Sequence, residues 1–284
     1  MESLTKVRLS NLDKILFPEL RLIKKDIIEY YIRIAPRMLS FLRDRALVRV
    51  RFPEGIYGLN FYEKNAPEGT PEWVRTFSKY SKTTEGETNY VVCNDLDTLI
   101  WLANLAALEL HIPLSRIPET GKPDMVLFDL DPEPPAGLME AINAAILLKD
   151  LLEEFALESY VKTSGKKGIH VVIPLEPKYD FRNTRDFVHE IGSKMAEEHG
   201  FIVSERRQTN VPGTVLIDYP QNSERATMIA PYSLRSTREA TISTPLRWKE
   251  LENIHPFDFN IYSLIERKVE PWKGFFNRKQ NLPY

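Results

Sequence analysis

The chain has 284 residues, 43 % of them hydrophobic, which is enough to build a real core in one large domain or two small ones. No run approaches the ~18 apolar residues of a membrane-spanning helix, and the charged opening "MESLTKVRLSNLDK" has no signal-peptide core, so a cytoplasmic protein is expected. The net charge of -2 is segregated: residues 1–52 hold twelve Lys/Arg against six Asp/Glu, and residues 129–160 hold one against eight. That layout suits a metal site beside a polyanion groove, and it equally suits solvated helix faces. The one cysteine, Cys93, excludes an intramolecular disulfide and a cysteine zinc site, and reads as a small buried hydrophobe.

In chain order, "KKDIIEYYIRIAPRMLSFLRD" has apolar residues at helical spacing. "ALVRVRFPEGIYGLNFYEK" alternates and turns at Pro53-Glu54-Gly55, which predicts a hairpin. "FSKYSKTTEGETN", with Lys79 and Lys82, is polar and predicts a long flexible loop. "LDTLIWLANLAALELHIP" predicts a second, strongly apolar core helix. The second half gives a strand at "DMVLFDLDP" and a helix at "GLMEAINAAILLKDLLEEF". Two strands around a Gly-rich turn follow at "LESYVKTSGKKGIHVVIPL", then a helix at "TRDFVHEIGSKMAEEHG" and a strand at "GTVLIDYPQ". This β-α-β-β-α-β order predicts an α+β protein with a split βαβ sheet and helices on one side.

Side chains i and i+2 of a strand share a face, so Asp129 and Asp131 point together while Phe128 and Leu130 pack the other way. Two adjacent carboxylates suit a hard divalent cation such as Mg²⁺ or Mn²⁺; a solvent-facing pair at a strand end is the alternative. Asp218 ends a second buried strand, and in the split βαβ order it can converge with the first two. Three carboxylates suffice for two ions that activate an attacking hydroxyl and stabilise a leaving oxygen at phosphorus. The turn Thr163-Ser164-Gly165-Lys166-Lys167-Gly168 can offer backbone N–H groups and ammonium charge to phosphate, or be a plain hairpin with solvated lysines. It lacks the Walker order. His170 flanks it, and Arg235, on what reads as an adjoining strand, is a fork suited to a triphosphate.

"DLDP", "KTSGKKGIH", "IDYPQNS" and "APYSLR", in this order and spacing, closely resemble the polymerase domain of bacterial DNA ligase D and its stand-alone relatives in the archaeo-eukaryotic primase superfamily. The likeness runs from "LSNLDKILFPE" through "FYEKNAPEGTPEWV" to "STPLRWKEL". It implies a primase-like, RRM-like catalytic sheet with an N-terminal α/β module in one compact unit: residues 1–120 for DNA and 5′-phosphate, 121–250 for catalysis and 251–284 as a C-terminal extension. It implies a template-directed nucleotidyltransferase that fills gaps or extends 3′ ends in non-homologous end joining, prefers ribonucleotides and works with two Mn²⁺ or Mg²⁺ ions. Asp129, Asp131 and Asp218 would hold the metals. Ser164, Lys167, Gly168, His170 and Arg235 would meet the NTP or dNTP, and Asn11, Lys14 and Lys24 would form a pocket for a 5′-phosphate.

Phe61 and Tyr62 would stack near the template. Adjacent in a strand, they face opposite sides, so one is expected in the core. Asn11 and Lys14, at i and i+3, are expected on one helix face with Lys24 reaching in from the start of the next helix. The implied partners are broken, gapped or overhanging DNA, a Ku-like end-binding protein and a separate ATP-dependent DNA ligase. The last is expected because no ligase region follows "NRKQNLPY". A second mobile loop is expected over 206–213. The rival classes are a non-catalytic DNA-end binder and another Asp-x-Asp metal enzyme such as a nuclease or glycosyltransferase.

Overall fold

The first long helical pattern folds as predicted. In the computed structural model, which describes residues 6–81, 85–205, 211–255 and 257–283, helix α1 spans Lys24–Leu42 and buries Ile27, Tyr30, Tyr31, Ile34 and Met38 along one stripe. Ahead of it lie the short antiparallel strands β1 (Ile15–Phe17) and β2 (Leu22–Ile23). After it come β3 (Val48–Arg51), β4 (Phe61–Glu63), β5 (Thr76–Ser81), β6 (Gly86–Val91), α2 (Leu96–Asn104) and β7 (Ala107–Ile112).

Two expectations are corrected here. The apolar run after Asp95 is not one helix: α2 stops at Asn104, Ala106 takes a φ of +56°, and β7 follows as a buried strand. A continuous apolar run has no period to separate buried helix from buried strand. The polar segment near residue 80 is a β5–β6 hairpin in register from Thr76↔Val91 to Ser81↔Gly86, not a loop. Lys79 lies on β5, and Lys82 lies outside the described residues.

The remaining elements are β8 (Met125–Pro132), α3 (Leu138–Glu154), β9 (Tyr160–Thr163), β10 (Ile169–Pro174), α4 (Phe181–Glu198), β11 (Ile202–Val203), β12 (Val215–Ile217), β13 (Met228–Ile229), β14 (Pro245–Leu246) and α5 (Ile261–Glu266). Of the loop expected over 206–213, residues 206–210 lie outside the described residues.

The chain clusters into two units made of separated segments. The first comprises Met1–Pro113, Ile229–Ile242 and Phe259–Lys268; the second comprises Leu114–Met228, Ser243–Asp258 and Val269–Tyr284. The three contiguous parts of the sequence reading are not these two units, because segments after residue 228 return to both.

In the first unit the main sheet has the order β13-β7-β3-β4, with α1 packed on α2 and α5. In the second, six strands run β11-β12-β8-β10-β9-β14, the predicted β-α-β-β-α-β order with β11 added at one edge and β14 at the other. Phe128 of β8 meets Phe187 of α4 edge to face, 6.0 Å between ring centres. Helix α4 therefore covers the Phe128/Leu130 face, and Asp129 and Asp131 look out from the opposite one. Among the described residues no helix is long and apolar enough to cross a membrane.

Candidate functional site

The register of the second unit's sheet places the predicted acids. β8 pairs with β10 on one side, His170 opposite Asp129, and with β12 on the other, Leu216 opposite Asp131. One residue past β12, the Asp218 N–H donates to the Asp129 carbonyl at 3.0 Å. β9 extends the row, with Lys162 opposite His170. Asp218, Asp129, His170 and Lys162 thus form a cross-strand row on the face that α4 leaves open, with Asp131 one pleat along.

The electrostatics of this row are strained. Burial, and then the charge of Asp129, push the Asp131 carboxyl up to about 6; His170 and Lys167 oppose the rise and Asp218 adds to it. His170 Nε2 sits 3.2 Å from Asp129 Oδ1, and Gln221 Nε2 donates to Asp218 Oδ2 at 3.0 Å. Among the described residues no three His, Cys, Asp or Glu side chains are gathered as a finished metal cage. The acid face offers a carboxylate pair on one strand with a third carboxylate in electrostatic reach, an all-oxygen donor set of the kind hard divalent cations take.

The turn between β9 and β10 is tightly built. Ser164 N–H donates to the Gly168 carbonyl at 3.0 Å, and Ser164 Oγ accepts from the N–H groups of Gly168 at 3.1 Å and Lys166 at 3.3 Å. Gly165 has a φ of +75°, a conformation glycine takes at no steric cost. Gly168 lies so close to β8 that a β-carbon there would stand 2.7 Å from the Leu130 carbonyl oxygen and 3.0 Å from Asp131 Oδ1. Lys167 Nζ donates to the Pro132 carbonyl at 2.7 Å, which ties the turn to the end of the acid-bearing strand. Ser164, Lys167, Gly168 and His170 thus share one end of this sheet with the acids.

Arg235 belongs to the first unit, and no strand of the catalytic sheet contains it. Its N–H donates to the Thr241 carbonyl, and its Nε lies 3.6 Å from Glu109 Oε1.

The three residues of the predicted phosphate pocket converge in the first unit, though not on a helix. Asn11 has a φ of +49° and its carbonyl accepts from Lys14 N–H, so the segment is a turn; Asn tolerates this region better than most residues. Lys24 N–H then donates to the Lys14 carbonyl at 2.8 Å, joining the two lysines at the foot of the β1–β2 ladder. Lys24 is buried, its ammonium donating to the Ser10 carbonyl at 2.9 Å, while Lys14 pairs with Glu54 at 2.7 Å. Burial, and then the charges of Lys14 and Arg51, lower the Lys24 pKa.

Phe61 and Tyr62 are 47 % and 58 % exposed, so neither enters the core. β4 is an edge strand open on both faces, with Phe61 opposite Arg51 and Tyr62 opposite Val50. Arg51, whose charge acts on Lys24, and Glu109, which lies 3.6 Å from Arg235 Nε, are neighbours of the candidate residues that the sequence reading passed over. A groove of about 550 Å³ lies between Arg185, Asp186 and His189 of α4 and Tyr219, Pro220 and Ser223, just past Asp218.

A family model described as "LigD, primase-polymerase domain" matches residues 23–272. The chain belongs to this family. It is 34 % identical over 284 residues to the "Bifunctional non-homologous end joining protein LigD" of Bacillus subtilis, covering 98 % of this chain and 45 % of that protein. It is 31 % identical over 254 residues to the "Multifunctional non-homologous end joining protein LigD" of Mycolicibacterium smegmatis, covering 88 % and 33 %. The chain thus spans a third to a half of the length of these curated relatives. Among solved structures it resembles the "Polymerase Domain from Mycobacterium tuberculosis Ligase D in complex with DNA", with a TM-score of 0.89 and 28 % identity over 97 % of this chain and 99 % of that one. The predicted primase-like α+β fold of the LigD polymerase domains is thereby the fold of this chain.

Proposed function

We propose that the protein is a template-directed nucleotidyltransferase that adds nucleotides, ribonucleotides by preference, to 3′ ends at gaps and overhangs in non-homologous end joining. The observation that carries this reading is the acid cluster: Asp129 and Asp131 on an open sheet face, with Asp218 just past the neighbouring β12 on one side and the Ser164–Gly168 turn before β10 on the other. Membership of the LigD family and likeness to a polymerase domain solved with DNA support it.

Two divalent ions, Mn²⁺ or Mg²⁺, would be held by Asp129, Asp131 and Asp218 and would supply the charge that activates the 3′-hydroxyl and receives pyrophosphate. The chain's own groups do the positioning. His170 holds Asp129 in place. In this reading the Ser164 hydroxyl and the Lys167 ammonium meet the triphosphate, and the resemblance of "APYSLR" to the family assigns Arg235 to the same group. Asn11, Lys14 and Lys24 receive the downstream 5′-phosphate, and Phe61 and Tyr62 stack on bases near the template. Filling a gap completely leaves a nick, so this reading needs an ATP-dependent ligase activity to follow, together with a Ku-like end-binding protein, and it has the enzyme work on cellular DNA in the cytoplasm of a prokaryote.

The test is single-nucleotide extension of a short-gapped duplex with Mn²⁺, using each ribo- and deoxynucleoside triphosphate, with and without a 5′-phosphate on the downstream strand. Templated addition, favoured by ribose and by the phosphate, is expected. Binding of gapped DNA without any addition would leave a non-catalytic end binder instead.

A further inference from the structure

Glu109 is a carboxylate buried in the middle of β7, its side chain only 6 % exposed. A charge so placed is costly unless it is well matched, and here three hydrogen-bonding groups and one guanidinium meet it. Ser236 gives both its N–H, at 3.0 Å, and its hydroxyl, at 2.9 Å, to Oε1. Arg235 Nε stands 3.6 Å from the same oxygen, and His111 Nε2 stands 3.2 Å from Oε2. Burial alone would raise its pKa, but these donors hold the carboxyl down at about 2.

The geometry points to Glu109 as a positioning residue that fixes the Arg235 guanidinium and the Arg235-Ser236 backbone in the posture needed to meet a nucleoside triphosphate. The inference rests on the reading that Arg235 meets that group. Arg235 stands on an irregular segment, bonded through its N–H to Thr241 and followed by the Thr237–Ala240 turn, so regular strand pairing does not set its direction. The Glu109 carboxylate does, through one oxygen shared by the Arg235 side chain and the next residue's N–H and hydroxyl. A neutral amide of the same shape keeps the packing and at most part of the Ser236 contact, and loses the ionic hold on Arg235 and His111.

The experiment is steady-state extension of gapped duplex by the full chain as Glu109→Gln, Arg235→Gln and the double variant, with KM measured separately for the nucleoside triphosphate and for DNA, beside the thermal midpoint of each. Glu109→Gln is expected to raise KM for the triphosphate about tenfold, to leave KM for DNA and the 5′-phosphate response as they were, and to add nothing once Arg235 is replaced. Equal worsening of both KM values, or an undiminished effect of Glu109→Gln in the Arg235→Gln background, would overturn the inference. An Arg235→Gln protein with wild-type KM for the triphosphate would refute the role of Arg235 itself; Glu109→Gln raising that KM in the same assay would then show Glu109 acting by another route, which also overturns the inference.

Discussion

Replacing Gly168 with alanine tests how closely the phosphate turn is fitted to the acid-bearing strand. The added β-carbon would lie 2.7 Å from the backbone oxygen of Leu130 and 3.0 Å from Asp131 Oδ1. Carbon–oxygen contacts below 3.0 Å are essentially never seen, and the nearer obstacle is backbone, so the β8–β10 ladder must open by about half an ångström. Overpacking of this kind costs about 2 kcal/mol, which lowers the melting temperature by roughly 4–8 °C in a chain of this size. The same displacement moves Asp131 and Ser164 apart and is expected to slow extension by about ten- to a hundredfold. Gly121→Ala is the control: a β-carbon there meets nothing within 4 Å, and neither stability nor extension should change. Both quantities come from thermal melts and Mn²⁺-dependent extension of gapped duplex. A Gly168→Ala protein with wild-type melting and wild-type extension would refute the close fit.

Asp129→Asn and Asp131→Asn are each expected to reduce extension about a thousandfold or more while gapped DNA binds as well or better by fluorescence anisotropy, because a carboxylate repels phosphate; parallel loss of binding would contradict the assignment. Lys24→Met should abolish the stimulation by a downstream 5′-phosphate, worth about ten- to a hundredfold for a charge-assisted contact, and leave extension of unphosphorylated gaps intact. Glu109 has a folded-state pKa depressed to about 2 from its ordinary 4.5, so the stability it adds is present above about pH 4.5 and is lost as the pH falls through 2. That contribution is about 3 kcal/mol. Urea midpoints for wild type and Glu109→Gln should converge as the medium is acidified across that window, and a constant difference would disprove it. Arg235, His111 and the neighbouring Tyr31 are the titratable groups that share its surroundings.

The catalytic sheet was legible because its signals are local and strong. Apolar strands ending in acids, a turn rich in glycine and lysine, and two helices of clear period leave one sensible order, and the register of Asp129, His170 and Asp218 follows from pairing adjacent strands. The misread segments share a physical cause. The β5–β6 hairpin is solvated on alternate residues along its length and so carries no apolar alternation. β7 is buried along nearly its whole length and follows the apolar α2 directly, so it reads as a continuation of that helix. Phe61 and Tyr62 sit on an edge where both faces are open, so the rule that one of two neighbours must be buried does not apply. The turn at Asn11 depends on a single left-handed residue, which composition does not announce. Glu109 could not be found from sequence at all, since its meaning comes from Arg235 and Ser236, more than a hundred residues away.

The interleaving of the two units bears on how the chain comes into being. The first unit takes its last sheet strand and its last helix from residues 229–242 and 259–268. As the chain is synthesised, β7 has only β3 beside it until β13 emerges, and Arg235 and Ser236, which meet the Glu109 carboxylate, arrive more than a hundred residues after it. Neither unit can close before the segments after residue 228 are made, so the two mature together. During that interval a bare strand edge and a buried-to-be carboxylate are exposed to the cell.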